Sequence, residues 1–182
     1  LYDSSVAVQS RDGSHRHIAL GRVGFRGIEV DTANDGFAVK VNGERIFCRG
    51  AGWTPLDPVT LRSSPGQCGE AVRQARDAGM NMLRLAGTMV YEEDHFYDAC
   101  DELGVLVWQD FMFASMDYPL DDAAFAASAS EEVSRQIHRL SHHACMAVLC
   151  GNSEVEQQAA MWGAPAGLWR PRFFHETLPE LC

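Results

Sequence analysis

The first 30 residues alternate between apolar and polar positions, which is typical of antiparallel strands. Apolar residues fall on every second position in three short segments: Val6 and Val8, Ile18 and Leu20, and Val23 and Phe25. The turn signal Asp12-Gly13 separates the first segment from the second. We therefore predict that this part of the chain is the end of an all-β domain.

A β-hairpin is predicted next. Apolar residues alternate at Phe37, Val39 and Val41 up to the dipeptide Asn42-Gly43, and the apolar pattern resumes on its far side. Asn-Gly is the strongest short-range hairpin signal, because both residues tolerate the positive φ of a type I′ turn. The second region of the chain therefore opens with a hairpin.

From residue 64 onward, helical and strand patterns take turns. Ser64 supplies an N-cap, Pro65 suits the first helical position, and Gln67 completes a capping box. This helix is expected to end at Gly79, and residues 80–85 form the next strand.

Two further helices and two further strands follow. Apolar residues at helical spacing run from Phe96 to Leu103, with Gly104 placed to end that helix. A third helix begins near Asp122, and strands are predicted at 105–108 and 146–150. The alternation favours a parallel sheet covered by helices, with about three and a half βα units.

Polar residues follow several of these apolar runs. Glu154 comes after the run at 146–149, and Arg49, Arg84 and Asp110 each follow an earlier run. Barrel enzymes keep their chemistry at the carboxyl ends of the strands. We therefore expect these four side chains to converge.

The stretch at 49–53, Arg-Gly-Ala-Gly-Trp, superficially resembles a phosphate-binding turn. Its glycine spacing does not match the dinucleotide fingerprint, and a Pro-bearing loop follows it where that motif requires a helix. We therefore predict no nucleotide site.

Composition narrows the class of protein. The 182 residues are 46% hydrophobic and 22% charged, as in globular proteins, and the formal net charge is -10. Nucleic-acid binders present clustered Lys and Arg, so a nucleic-acid partner is not expected. No apolar run approaches the roughly 18 residues of a membrane helix, so no membrane partner is expected either. The chain starts at Leu1 in mid-pattern, which suggests a piece of a longer protein.

Cysteine and histidine usage points to neither disulfides nor a metal. Six cysteines include no Cys-x-x-Cys pair, which favours reduced thiols and a cytoplasmic setting. His138 and His142 share a helix face and His143 and Cys145 lie nearby, but the sequence shows no evident third ligand. We expect no metal and no organic cofactor.

Five ordered motifs resemble glycoside hydrolase family two, and within it most closely the β-mannosidases. They are Gly24-Phe25-Arg26, residues 41–51, residues 81–85, residues 108–111 and Gly151-Asn152-Ser153-Glu154. The resemblance implies a partial (β/α)8 TIM barrel, comprising about its first four βα units, after the end of an immunoglobulin-like β-sandwich. The implied domains are 1–33, the end of the sandwich, and 34–182, the first half of the catalytic barrel.

The resemblance also implies a reaction. Enzymes of this family hydrolyse β-glycosides with retention, which requires two carboxylates about 5 to 5.5 Å apart. Glu154 matches the family's general acid/base, whereas the nucleophilic Glu of the family lies on a later strand and is absent here. Glu156 does not replace it, because residues two apart on a helix face different directions. The chain alone is therefore expected to be inactive.

The remaining site residues are expected around Glu154. Asn152 is expected to bind sugar or orient Glu154, and Ser153 stands where the family usually has Asn. Two further groups are assigned to substrate binding. They are the charged residues Arg49, Arg84 and Asp110, for which a purely structural ion-pair network is the alternative, and the aromatic residues Trp53 and Trp162, for which apolar packing is the alternative.

Substrate and partners remain open between several possibilities. A β-mannoside is the first expectation, but Ala86 stands where many β-mannosidases carry a Trp. A β-galactosidase, a β-glucuronidase or an endo-β-mannosidase is the alternative within the family. Outside it, the alternative is a non-catalytic carbohydrate-binding or interaction fragment, with a homodimer covering the exposed strand edges.

Overall fold

The computed structural model describes residues 1–182 except for the side chain of residue 168.

The N-terminal residues form an antiparallel pair of strands. Strand β1 (Tyr2–Gln9) pairs with β2 (His15–Val23), with Tyr2 opposite Val23 and a register shift between Ser4 and Ser5. Both strands are almost entirely exposed. The antiparallel pairing and the turn at Asp12-Gly13 are therefore confirmed. The second and third predicted segments form one strand, and Phe25 lies beyond its end.

A three-stranded antiparallel sheet follows in the order β3, β4, β5. Its strands are Ile28–Asp31, Ala38–Val41 and Glu44–Ile46, and a short 3-10 helix, Ala33–Asp35, lies between the first two. Asn42 and Gly43 have φ values of 52° and 82°, the left-handed conformation that the Asn-Gly hairpin predicts. This sheet includes strands from both sides of the domain boundary expected at residue 33.

The third sheet is parallel and has four strands in the order β6, β7, β8, β9. They span Gly50–Trp53, Met82–Leu85, Leu106–Asp110 and Met146–Cys150. Gly50 is level with Met82, and Met82 with Leu106, so the strands start together. A parallel sheet built from alternating strands and helices is what the sequence predicts.

Three long helices connect these strands, and each begins or ends as predicted. Helix α1 (Pro65–Asp77) has the full capping box of Ser64 and Gln67. Helix α2 (Asp94–Leu103) ends at Gly104, whose φ of 70° suits a left-handed C-cap. Helix α3 (Ala123–Leu140) starts at Asp122, whose carboxylate accepts two backbone N–H groups of the first turn.

The C-terminal residues form short helical segments. These are α4 (Gln157–Met161), α5 (Ala166–Trp169), a π-helical turn (Phe173–Thr177) and α6 (Leu178–Leu181). Phe173, Phe174 and Leu178 pack with Phe113 and Val133 in a second apolar cluster. The π-helical turn and α6 are therefore packed against α3 and the loop that follows β8.

The main apolar core lies between the parallel sheet and its helices. Its largest fully buried side chains include Leu85, Phe96, Tyr97 and Leu140. The cysteines are all unpaired thiols, and Cys68, Cys100 and Cys145 belong to this core. Within the part of the chain that the structure describes, no helix combines the length and the apolar character needed to cross a membrane.

Candidate active site

The two faces of the parallel sheet carry different side chains. Leu83, Leu85 and Val107 face the helices and belong to the apolar core. Successive residues of a strand point to opposite faces, so Arg84, between Leu83 and Leu85, points away from the helices. Charged side chains therefore collect on the face that the helices do not cover.

Arg84 and Asp110 form a two-point ion pair on this face. Arg84 Nε donates to Asp110 Oδ1 at 3.2 Å, and a terminal guanidinium nitrogen donates to Oδ2 at 2.7 Å. The Asp110 side chain is fully buried, whereas 43% of the Arg84 side chain is exposed. Hydrogen bonding to Asp110 raises the pKa of Arg84, although burial opposes this. Asp110 thus holds a guanidinium that still reaches solvent.

A close backbone approach supports the pair. The N–H of Gly87 donates to Asp110 Oδ2 at 3.3 Å. A Cβ at this position would lie 2.6 Å from the carbonyl oxygens of Phe111 and Phe113, so only glycine fits. Gly87 thus contributes to the site, although no sequence motif indicated it.

Trp108 and Cys150 are two further members of this face that sequence reasoning missed. The Arg84 guanidinium lies over the Trp108 ring at 5.5 Å from its centroid. Burial and the charge of Asp110 raise the pKa of the Cys150 thiol, which donates to the Asn152 carbonyl at 3.2 Å. The available signal was the two-residue period of a strand, which puts Trp108 and Asp110 on one face.

Glu154 lies just beyond the carboxyl end of β9, in a turn that backbone bonds hold in place. Ser153 is buried, donates its N–H to the Phe113 carbonyl at 2.8 Å, and accepts at 3.0 Å from Ser115. Asn152 Oδ1 accepts the N–H of Val155 at 3.1 Å. The Glu154 side chain itself is exposed and its φ is 61°. Its charge also contributes to the raised pKa of Arg84.

Arg49 does not converge with the others, so that expectation is wrong. It precedes β6 and pairs with the start of β7: its N–H donates to Asn81 Oδ1 at 2.7 Å and its carbonyl accepts the N–H of Asn81. Arg84 lies three residues further along β7, which is about 10 Å of strand. The apolar run before Arg49 belongs to the antiparallel hairpin. Its end therefore does not mark the carboxyl end of a strand in the parallel sheet.

Comparison with known proteins gives sequence relatives over most of the chain. The β-mannosidase of Capra hircus is 37% identical over 166 residues, covering 88% of this chain and 19% of its own length. The β-mannosidase B of Aspergillus niger is 36% identical over 168 residues, covering 88% of this chain and 20% of its own length. No protein-family model matches the chain.

Solved structures agree with this relationship. The β-D-mannosidase of Dictyoglomus thermophilum superposes with a TM-score of 0.78 at 34% identity, over 94% of this chain and 21% of its own chain. The chain is β-mannosidase-like. The resemblance to glycoside hydrolase family two predicted from the five motifs is thereby confirmed.

A more distant structure shows the fold alone. The exo-chitosanase CsxA of Amycolatopsis orientalis superposes with a TM-score of 0.65 at 19% identity, over 92% of this chain and 19% of its own. The β-mannosidase-like chain spans about a fifth of the length of the curated relatives it matches.

The two tryptophans assigned to sugar binding differ in their surroundings. In the β-mannosidase-like chain, Trp53 is only 8% exposed, donates from Nε1 to Glu92 at 2.8 Å, and packs 4.7 Å from the ring of Phe96. Trp162 is 84% exposed at the end of α4. The Trp53 environment favours the packing alternative, and sugar stacking by Trp162 stays a prediction.

The second carboxylate of this segment, that of Glu156, is paired with a residue other than the site residues. Glu156 pairs with His175 of the π-helical turn. It is therefore held toward the C-terminal segments, which agrees with rejecting it as a partner for Glu154. Among the described residues, the one group of His, Cys and acidic side chains close enough to share a metal ion lies away from Glu154, at Asp101, His143 and Cys145.

Proposed function

We propose that this chain is part of a retaining, exo-acting β-mannosidase in which Glu154 is the general acid/base. The observation that carries the proposal is the position of Glu154. It follows β9 at the carboxyl end of a parallel sheet, beside an arginine held by a buried aspartate. The β-mannosidase relatives supply the reaction class, because barrel enzymes place their catalytic groups at that end of the strands.

The architecture extends the same proposal. Four parallel strands in sequential order with connecting helices match the first half of an eight-stranded barrel. Relatives about five times as long leave room for four more strands. Residues 34–182 are then the first half of the catalytic barrel, and residues 1–33 the end of an immunoglobulin-like domain. The sheet of β3, β4 and β5 joins the two.

The mechanism divides the work between two carboxyl groups. Glu154 gives its proton to the glycosidic oxygen as the bond to the sugar breaks, and a nucleophilic carboxylate on a later strand attacks the anomeric carbon. Glu154 then takes a proton from the water that releases the sugar. Because Glu156 is paired with His175, we propose that this chain alone is inactive.

The surrounding residues take separate roles. Asp110 is fully buried, so it positions Arg84, whose exposed guanidinium is available to sugar hydroxyls. Glu154 lies near enough for its charge to help raise the pKa of Arg84. Asn152 and Ser153 hold the turn that carries Glu154. Asn152 Oδ1 accepts the Val155 N–H within the turn, and both backbone groups of Ser153 are bonded to the loop after β8. They therefore act through Glu154 as positioning residues.

Two alternatives to a β-mannosidase remain: a glycosidase that acts on another sugar, and a non-catalytic interaction protein. Ala86, directly after β7, leaves the sugar open to a β-galactoside or a β-glucuronide. The sheet ends in two strands with no further neighbour among the described residues, β6 and β9, and a homodimer that covers them would suit a non-catalytic interaction protein. A cytoplasmic setting stays a prediction.

The test uses the full-length protein that contains this chain, assayed on aryl β-mannoside, β-galactoside and β-glucuronide. We expect the mannoside to be cleaved fastest. Glu154→Gln should lower kcat/KM by about 10² to 10⁴, as loss of a general acid does. Glu156→Gln is the matched control and should retain the rate, because it removes a nearby carboxylate with no catalytic role.

Leaving groups separate acid catalysis from general damage. An aryl leaving group that is already acidic needs no proton, so Glu154→Gln should retain bond cleavage with dinitrophenyl mannoside far better than with an alkyl mannoside. Equal losses on both substrates, or no loss at all, would remove Glu154 from the acid/base role. Cleavage of none of the three sugars would favour the interaction protein.

A further inference from the structure

A second cluster of reactive side chains lies at the opposite end of β9 from Glu154. Asp101 is on α2, and His143 and Cys145 are in the loop between α3 and β9. We propose that these three residues form a metal site that takes Zn²⁺ or a similar borderline divalent ion. The site is independent of the proposed glycosidase activity, because none of its members lies near Glu154 in the sheet.

The three ligand groups are already together. One ligand atom from each residue lies within 4.8 Å of the other two. His143 Nδ1 is 2.8 Å from Asp101 Oδ2, and the backbone N–H of Cys145 donates to Asp101 Oδ1 at 2.6 Å. Zinc bonds are about 2.0 Å to nitrogen or oxygen and about 2.3 Å to sulfur, so tetrahedral ligand atoms stand about 3.3 to 3.5 Å from one another. Binding would therefore move His143 Nδ1 and Asp101 Oδ2 slightly apart and draw any more distant pair of ligand atoms together.

The cluster lies in the interior of the fold. His143 is 2% exposed, and Asp101 faces its Nδ1. Nδ1 is therefore the nitrogen that can share an ion with Asp101 and Cys145. Buried polar and charged groups need partners, and a divalent ion between these three ligands would be one.

The charges of the ligands suit a divalent cation. A cysteine binds a metal ion as the thiolate and releases its proton to solvent when it does so. One thiolate, one carboxylate and one neutral imidazole then balance two positive charges.

A cavity beside the cluster offers room for a fourth ligand and an entry path. A cavity of about 270 Å³ is lined by both Asp101 and Cys145, so an ion or a water reaches the cluster from solvent. Mixed sulfur, nitrogen and oxygen ligands in fourfold coordination are typical of zinc.

The sequence alone did not show this site, because Asp101 lies 42 residues before His143. The sequence pattern offered His138 and His142 as neighbours on a helix, but the fold selects His143 with Asp101. An ion here would join α2 to the start of β9. We therefore assign it a structural role.

The experiment measures bound metal in the full-length protein after chelator treatment and titration with Zn²⁺ or Co²⁺. We expect one equivalent of either ion that Cys145→Ser and Asp101→Asn both lose, and a Co²⁺ complex with a thiolate-to-cobalt absorption band. Binding should release protons and weaken as the pH falls. Cys68→Ser, a buried thiol outside the cluster, and His142→Gln, the neighbour of His143, are the matched controls.

The outcomes separate clearly. No thiolate-to-cobalt band in the unsubstituted protein would overturn the site, whatever the variants do. A band that survives Cys145→Ser, or that Cys68→Ser removes, would also overturn it. Glycosidase activity plays no part in these readouts, so failure of the metal site leaves the proposed enzyme intact and the reverse also holds.

Discussion

The two faces of the parallel sheet differ in what their side chains do. On the helix-covered face, Leu83, Leu85 and Val107 are buried in a continuous apolar core. On the opposite face, Arg84 keeps 43% of its side chain exposed and Asp110 is buried through an ion pair. The same strands therefore contribute apolar packing on one face and carry the charged groups of the proposed active site on the other.

This difference follows from the two-residue period of a strand. A helix-covered face gains free energy from apolar area removed from water. A face that must hold charge gains little from burial and depends instead on paired hydrogen bonds. Substitutions on the first face should therefore change the free energy of unfolding most, and substitutions on the second should change function more than stability.

The largest change in stability is expected for Phe96→Ala. Phe96 is fully buried, between the rings of Trp53 at 4.7 Å and Tyr97 at 5.2 Å. Its truncation should lower the free energy of unfolding by about 3 to 5 kcal/mol through lost burial and a residual cavity. Urea unfolding followed by circular dichroism measures this.

Phe47→Ala is the control for that prediction. Phe47 is 82% exposed, so its truncation should change the free energy of unfolding by less than about 0.5 kcal/mol. If Phe96→Ala and Phe47→Ala unfold at the same urea concentration, the apolar core on the helix-covered face does not make the main contribution to the free energy of unfolding.

A smaller change is expected for Asp110→Asn on the other face. The amide keeps the volume of the carboxylate but loses its charge and one acceptor oxygen, so Arg84 and the Gly87 N–H compete for what remains. We expect a loss of about 1 to 3 kcal/mol in the free energy of unfolding. In the full-length protein, the loss of kcat/KM for the proposed glycosidase activity should be larger than this stability change alone explains.

Asp94→Asn tests whether burial of the carboxylate causes the loss of stability expected for Asp110→Asn. Asp94 also pairs with an arginine, Arg139, at 2.6 Å, but 68% of its side chain is exposed. Exposed pairs contribute about 0 to 1 kcal/mol, so this variant should unfold almost like the original protein. A loss equal to that of Asp110→Asn would show that the buried pair has no special role.

The sequence predicted elements better than it predicted neighbours. The Ser64 and Gln67 capping box, the Gly104 stop and the Asn42-Gly43 turn are local signals, and the structure has all of them. Local hydrogen bonds decide such features, so a short window of sequence contains the cause.

The positions of the site residues could be predicted only from the pairing of strands in the sheet. Arg49 was expected at the carboxyl end of the strands because it follows an apolar run, but that run pairs in the antiparallel sheet and Arg49 lies at the amino end of β6. Gly87 and Asp101 were missed because their partners, Asp110 and His143, are 23 and 42 residues away. Contacts of that separation depend on register, which no local pattern contains.

An effect smaller than that of Asp110→Asn is expected for Ser64→Ala, at the start of a helix that covers the apolar face. The Ser64 hydroxyl accepts the N–H of Gln67 at 3.3 Å, and its loss leaves one N–H of the first turn of α1 without that partner. We expect about 1 kcal/mol less stability by urea unfolding and an unchanged KM in the full-length enzyme. Ser64→Asp should restore most of the loss, since Asp also caps helices. An altered KM would mean that the two faces are coupled, because α1 contacts only the apolar one.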